Sequence, residues 1–196
     1  MRPSRSDMEN YETVLTEIGE RLRLVMQLLD QPVTQVEWIA VELRIALELI
    51  VLGSLVTNRN AISKVSSVFK VKDVTEARRV VREVNPEYWP TPLESGPRDD
   101  DGALTAQPFA GDFLRENEWG REYGFLSELV HAQHPYFQRR EPASVAGQLR
   151  SLFYRIAILL RQHVIVLAGN QDAYIGQLDI DGGEVLVAVL RRPEDS

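Results

Sequence analysis

Apolar residues recur at three- and four-residue steps over 6–29, at Val14, Ile18, Leu22, Val25, Leu28 and Leu29, which predicts an amphipathic helix with a charged, wet outer face. Pro32 breaks it. Thr34 and Glu37 then read as a capping box, hydroxyl and carboxylate each satisfying a free backbone N–H at the start of a second helix. That helix carries a nearly continuous apolar run over 38–56, interrupted only by Glu42, Arg44, Glu48, Gly53 and Ser54, and it stops at the polar residues Asn58, Arg59 and Asn60. A helix of this pattern passes through the middle of a fold, antiparallel to the first.

Residues 61–69 have the pattern of a short helix, and Asp73 with Glu76 caps another that carries Ala77, Val80, Val81 and Val84 on one side. Asn85 and Pro86 end it. Pro86, Pro90 and Pro92 hold 85–93 extended, with Tyr88 and Trp89 pinning the chain against the bundle. Over about 94–107 the composition turns acidic and apolar-poor, as expected of a solvated or disordered loop. A fourth long helix is expected over 111–132, burying Phe113, Leu114, Phe125, Leu126, Leu129 and Val130 and weakened at Gly120 and Gly124. Glu141 and Pro142 open a last helix whose core face runs from Leu149 through Ile156 and Leu160 to Val164 and Leu167, ending at Gly169 and Asn170.

Beyond that point the period changes. Tyr174, Gln177 and Asp179 frame one run, residues 185–190 form the next, and Asp181, Gly182 and Gly183 lie between them, the signal of a β-hairpin. The expected fold is therefore mainly α: a bundle of four to five main helices over 1–170, with a β-hairpin and tail over 171–196. A lone ribbon is marginal in water, so it must pack on the bundle, pair with another ribbon or accept a partner's strand. Dimerisation is the simplest explanation of its apolar second strand.

Composition narrows the function classes. At 196 residues and 44% hydrophobic the chain can bury one sizeable core, and a net charge of -7 argues against the broad basic field that nucleic acid requires, while leaving a local basic site open. The absence of cysteine removes disulfides and thiolate metal sites. Residues 1–10 have arginines but no apolar core, so a cytoplasmic location is the default. The run over 38–56 is long enough to span a bilayer, but its three charges cost a few kcal/mol each there, so no membrane association is expected.

Two clusters hint at chemistry. Arg44 and Glu48 lie one turn apart, either as a partly buried ion pair fixing helix register or as an arginine held by Glu48 and aimed at a phosphate. His131 and His134 stand at a helix end, where the dipole favours the protonated form and paired histidines can trade protons. A metal would need a third ligand, for which Glu128 or Glu122 matches no ligand spacing, and no metal or cofactor is expected. The competing reading makes His131 a structural hydrogen-bonding group and places His134 in the following turn. His163 reads as structural on the last helix, and Trp38, Trp89 and Trp119 as packing residues, Trp119 near a rim. No phosphate-binding glycine loop, nucleophile elbow, zinc-protease helix or dinucleotide fingerprint is present, and the acidic residues 99–101 lack the spacing of a calcium loop.

The segment beginning Arg44-Ile-Ala-Leu-Glu48, the run Asn85-Pro-Glu-Tyr-Trp-Pro-Thr-Pro92 and the stretch Glu128-Leu-Val-His131-Ala-Gln-His134-Pro135 before another long helix together resemble HEPN-like helical proteins of bacterial abortive-infection and toxin-antitoxin loci. The resemblance spans about 34–169 and stops before the hairpin. Catalytic members of that superfamily are metal-independent endoribonucleases that dimerise, with an arginine four to six residues before a histidine. Here Arg121 lies ten residues before His131, while Arg139 and Arg140 follow the histidines. The resemblance thus implies a non-catalytic binding module of a bacterial defence or stress system, acting as a homodimer or with a partner protein. The alternative is an atypical ribonuclease, with His131 or His134 as general base and Arg44, reaching across the bundle beside Glu48, steadying the charged transition state. A third class is a purely structural partner whose ribbon completes another chain's sheet.

Overall fold

The computed structural model describes residues 4–31, 35–62, 73–98, 104–131, 141–169 and 172–191. Helix α1 (Arg5–Leu29) opens with Ser4, whose hydroxyl accepts from the Asp7 backbone N–H at 3.0 Å. Helix α2 (Val36–Thr57) runs back beside it, as the antiparallel contacts Arg21 to Glu42, Tyr11 to Gly53 and Asp7 to Asn60 require. The expected hairpin of helices is present. Its second member begins at Val36 with no side-chain cap from Gln35, and Thr34 of the expected capping box lies outside the described residues, as does Pro32.

Helix α3 (Arg59–Ile62) is a single turn at the start of the expected 61–69 helix, whose remainder lies outside the described residues. Helix α4 (Val74–Val84) is capped by Asp73, which accepts from the Thr75 N–H at 2.9 Å, and it buries Ala77, Val80 and Val81. Tyr88 and Trp89 do pin the extended segment: both are buried, and the Trp89 indole donates to the Leu114 carbonyl at 3.1 Å.

The structure departs from the sequence reading at three places. Strands β1 (Thr91–Arg98) and β2 (Leu104–Pro108) occupy most of the stretch expected to be a loop, with residues 99–103 outside the description. Their ribbon is held by backbone pairing of Leu93 with Pro108, Glu94 with Gln107 and Ser95 with Ala106. Polar groups lie on it where apolar alternation would have announced a strand: Gln107 donates to Glu94 at 3.2 Å and Thr105 to the Pro97 carbonyl at 2.6 Å.

The helix expected over 111–132 is shorter. An irregular stretch leads through a 3-10 turn, Glu116–Glu118, into α5 (Trp119–Val130), because the carboxylates of Glu116 and Glu118 are drawn sideways to arginines on α4 and the last helix. That last helix, α6 (Pro142–Arg161), ends eight residues before the expected Gly169. At Gln162 the backbone turns extended (φ −151°, ψ 122°) and the β-branched run continues as β3 (Gln162–Val166). A short apolar run fits both a helix and a buried strand, and here the available strand partners decide.

Strands β4 (Asp172–Gln177) and β5 (Leu186–Arg191) form the expected C-terminal hairpin. It is not an appended ribbon. β4 pairs with β3 from Gln162–Gln177 to Val166–Ala173, and β3 pairs with β1, giving an antiparallel sheet in the order β2-β1-β3-β4-β5 against α1 and α6. The fold remains mainly α, with six helices among the described residues, but it carries a five-stranded sheet in place of a hairpin.

One buried polar knot fastens the end of α2 to this sheet. Asn58 donates to the Ser54 carbonyl at 2.9 Å and its oxygen accepts from Asn85 (3.0 Å) and from the Ala168 backbone N–H (2.9 Å). Asn85 also donates to the Val166 carbonyl at 2.8 Å and accepts from the Glu87 N–H. Asn58→Ala strands several of these buried partners, so urea unfolding should show a loss of about 3 kcal/mol, whereas an exposed control such as Thr13→Ala should change little.

Candidate functional site

The sequence-predicted Arg44 lies on α2 facing α5. Trp119 and Tyr123 stand one turn apart on α5, so their rings stack, with centroids 4.7 Å apart and planes 10° from parallel. The Trp119 indole reaches into α2 and donates to the Leu47 carbonyl at 3.1 Å. This anchors α5 against α2 and brings the Tyr123 hydroxyl between Arg44 and Glu48. Arg44 Nη2 donates to Tyr123 Oη at 3.0 Å, Tyr123 Oη donates to Glu48 Oε1 at 2.8 Å, and Arg44 Nε lies 3.3 Å from the same carboxylate oxygen. The guanidinium carbon is 5.0 Å from the Tyr123 ring centroid.

The same chemistry recurs on the neighbouring helix. Arg78 of α4 pairs with Glu116 and donates to Tyr88 Oη at 3.1 Å, while Tyr88 Oη donates to Glu116 Oε1 at 2.9 Å. Arg78 lies 5.1 Å from the Trp119 ring. Two arginine-tyrosine-glutamate triads are thus linked through Trp119 and Tyr123. A third arginine, Arg155 of α6, sits among Glu118, Glu122 at 3.3 Å and Asp112 at 3.4 Å, and it forms one wall of a groove of about 560 Å³ with Gln148 and Phe125.

Electrostatics determine what these groups can do. The hydrogen bond to Tyr123, with help from Glu48, raises the Arg44 pKa above its ordinary value, so the guanidinium stays charged and is no base. Burial raises the Tyr123 pKa, keeping its phenol protonated and available as the donor to Glu48. An anion approaching Arg44 must therefore compete with a carboxylate already in place.

His131 does not share this arrangement. His131 caps α5 in extended conformation and is exposed, its backbone N–H donating to the Ser127 carbonyl at 3.1 Å. Eight residues separate it from Tyr123, about 12 Å of helix rise, and the polar partners of Arg44 among the described residues are Tyr123 and Glu48. Arg44 and Glu48 are brought together, His131 stands apart, and His134 lies outside the described residues. Glu128 is exposed and Glu122 is engaged by Arg155 and Arg121. Among the described residues no group of three histidine, aspartate or glutamate side chains is placed to hold a metal. Trp119 is buried rather than at a rim, whereas Trp38 is 64% exposed and packs little.

Sequence reasoning overlooked Tyr123, Arg78, Tyr88 and Arg155 as members of a site. The spacing of Trp119 and Tyr123 was a usable signal, since two aromatics one turn apart on a helix present a stacked pair to whatever they face. A larger concavity of about 790 Å³ between α1 and α2 is lined by Glu9, Glu12, Glu17, Glu20 and Glu42, with Arg21 bonded to Glu17 and Glu42. No helix among the described residues is long and apolar enough to cross a membrane. No family model matches the chain, and neither curated proteins nor solved structures provide a match.

His163 is structural, though on a strand rather than a helix. Its Nδ1 lies 3.1 Å from the Leu160 carbonyl, which can only accept, so Nδ1 carries the proton and Nε2 accepts from the Tyr11 hydroxyl at 2.6 Å. Gly176, opposite His163 in the ladder, leaves room for the ring, since a Cβ there would fall 2.6 Å from Nε2. Burial lowers the His163 pKa from 6.5 to about 4, so the native state holds the ring neutral. Between those values the unfolded chain binds a proton that the native state refuses, and stability falls as pH falls. The expected loss from this residue is on the order of 3 kcal/mol, at about 1.4 kcal/mol per pH unit, with none above 6.5. Chemical unfolding from pH 7 to 5 should show this slope in the wild type and a flatter one in His163→Gln. In the same assay Tyr123→Phe, which removes the bridge between Arg44 and Glu48, should cost about 1 kcal/mol.

Proposed function

We propose that the protein is a non-catalytic binding module, of the HEPN-like kind that the sequence resembles, in which the arginine-aromatic seam is a frame between helices rather than a reacting centre. The observation that carries this reading is that Arg44 is already held by neighbours within the fold. Its guanidinium is bonded to Tyr123, paired with Glu48 and set against an aromatic ring, while His131 is exposed at the far end of α5. A ribonuclease site needs a base and a cation converging on one phosphate, within hydrogen-bond reach of the reacting atoms. The acidic concavity between α1 and α2 and the net charge of -7 favour a protein partner over RNA. What the module offers such a partner is the outer strand β5, where Leu186 and Leu190 are half exposed.

The test is incubation of highly purified protein with single-stranded and structured RNA, beside Arg44→Ala and His131→Ala variants shown to be folded by circular dichroism. All three should leave the RNA intact, and Arg44→Ala should lower the unfolding free energy by about 1–2 kcal/mol through loss of the seam. Cleavage by the wild type that disappears in folded His131→Ala would overturn the reading in favour of the metal-independent ribonuclease.

A further inference from the structure

We propose that the protein forms a two-fold dimer in which β5 pairs with β5 of a second copy, antiparallel and in the register centred on Ala188. The inference rests on the reading of the protein as a binding module and names its partner. β5 is the last strand of the sheet, with β4 on one edge and no further strand on the other among the described residues. Its backbone donors and acceptors on that edge form an open template, which monomeric proteins guard with lysine, proline or a bulge. Residues 186–190 contain neither lysine nor proline and run in unbroken register with β4. They are apolar throughout, and Leu186, Val189 and Leu190 are 56%, 37% and 50% exposed.

The sequence of this strand identifies the occupant. Leu186-Val187-Ala188-Val189-Leu190 reads the same in both directions. An antiparallel pair about a two-fold axis at Ala188 therefore sets each leucine against a leucine and each valine against a valine. An isologous interface requires such self-complementarity, whereas an unrelated partner strand imposes no symmetry on the sequence. The flanks agree in charge: Glu184 precedes the strand and Arg191 closes it, so antiparallel pairing runs the acidic end of each copy toward the basic end of the other. The side-chain faces also agree. Val185 and Val187 pack toward the core, which leaves Leu186, Ala188 and Leu190 on the outer face. In the dimer these three residues from each copy form one apolar row across a continuous ten-stranded sheet.

Sedimentation velocity of the full chain should give twice the 22.3 kDa monomer mass at tens of micromolar, dissociating on dilution. In the proposed register residue 186 of one copy faces residue 190 of the other. The double variant Leu186→Lys/Leu190→Lys should weaken association at least tenfold, and Leu186→Lys/Leu190→Glu, which sets lysine against glutamate, should restore it. A parallel or shifted pairing would not produce that rescue. Because the chain has no cysteine, Ala188→Cys adds a single thiol at the axis. Opposed Cα atoms in an antiparallel pair lie about 4.5–5.5 Å apart, inside the disulfide range, so mild oxidation should yield a covalent dimer. Leu190→Cys, displaced from its own copy by four residues, about 13 Å, should not cross-link. A wild type that stays monomeric at hundreds of micromolar, a lysine pair that leaves the dimer intact, or equal cross-linking at 188 and 190 overturns the proposal. A monomer that leaves RNA intact removes the dimer alone, whereas a dimer that cleaves RNA removes the binding-module reading alone.

Discussion

Helix α2 is apolar on nearly every side, so one neighbour cannot cover it, and the rest of the structure follows from what it takes to surround it. α1 covers the side of Glu42 and Gly53, while α4, α5 and α6 close the others. Polar groups buried on α2 and at its cap find partners: Glu42 in Arg21, Ser54 in the Ile50 and Tyr88 carbonyls, Asn58 in Asn85 and Ala168. Leaving any of them unpaired would cost as much as burying a large apolar side chain gains.

The seam of arginines and aromatics solves the same problem at the boundary of the core. α5 is short and carries two glycines, Gly120 and Gly124, so it contributes little helix propensity of its own. Trp119 and Tyr123 fasten it to α2 through one indole bond and one hydroxyl bridge, and Arg78 extends the contact to α4. Arginine suits these positions because its flat face lies against a ring while its edge meets a carboxylate.

Much of the helical layout was legible in the sequence. The amphipathic period of α1, the apolar run of α2, Asp73 at the start of α4 and proline at the start of α6 are local signals, each acting within one or two turns of the chain. The pairing of Arg44 with Glu48 is local too. Tyr123 joining them depends on residues 75 positions apart, and no spacing rule reaches that far. The two histidines looked like a site because they were close in sequence, yet the described one ends on the surface, away from the cation expected to assist it.

By itself the sequence determined where the main helices would lie, though neither the late start of α5 nor the early end of α6, and that one strand pair, β4 with β5, would fold back at a glycine turn, because capping, apolar period and turn chemistry are properties of neighbouring residues. The five-stranded sheet was decided only by tertiary structure. Residues 162–166 could have continued α6, and residues 91–108 carry little apolar alternation. Residues 162–166 become a strand because β4 on one side and β1 on the other satisfy their backbone groups, and 91–98 become one because β3 and β2 do the same for them.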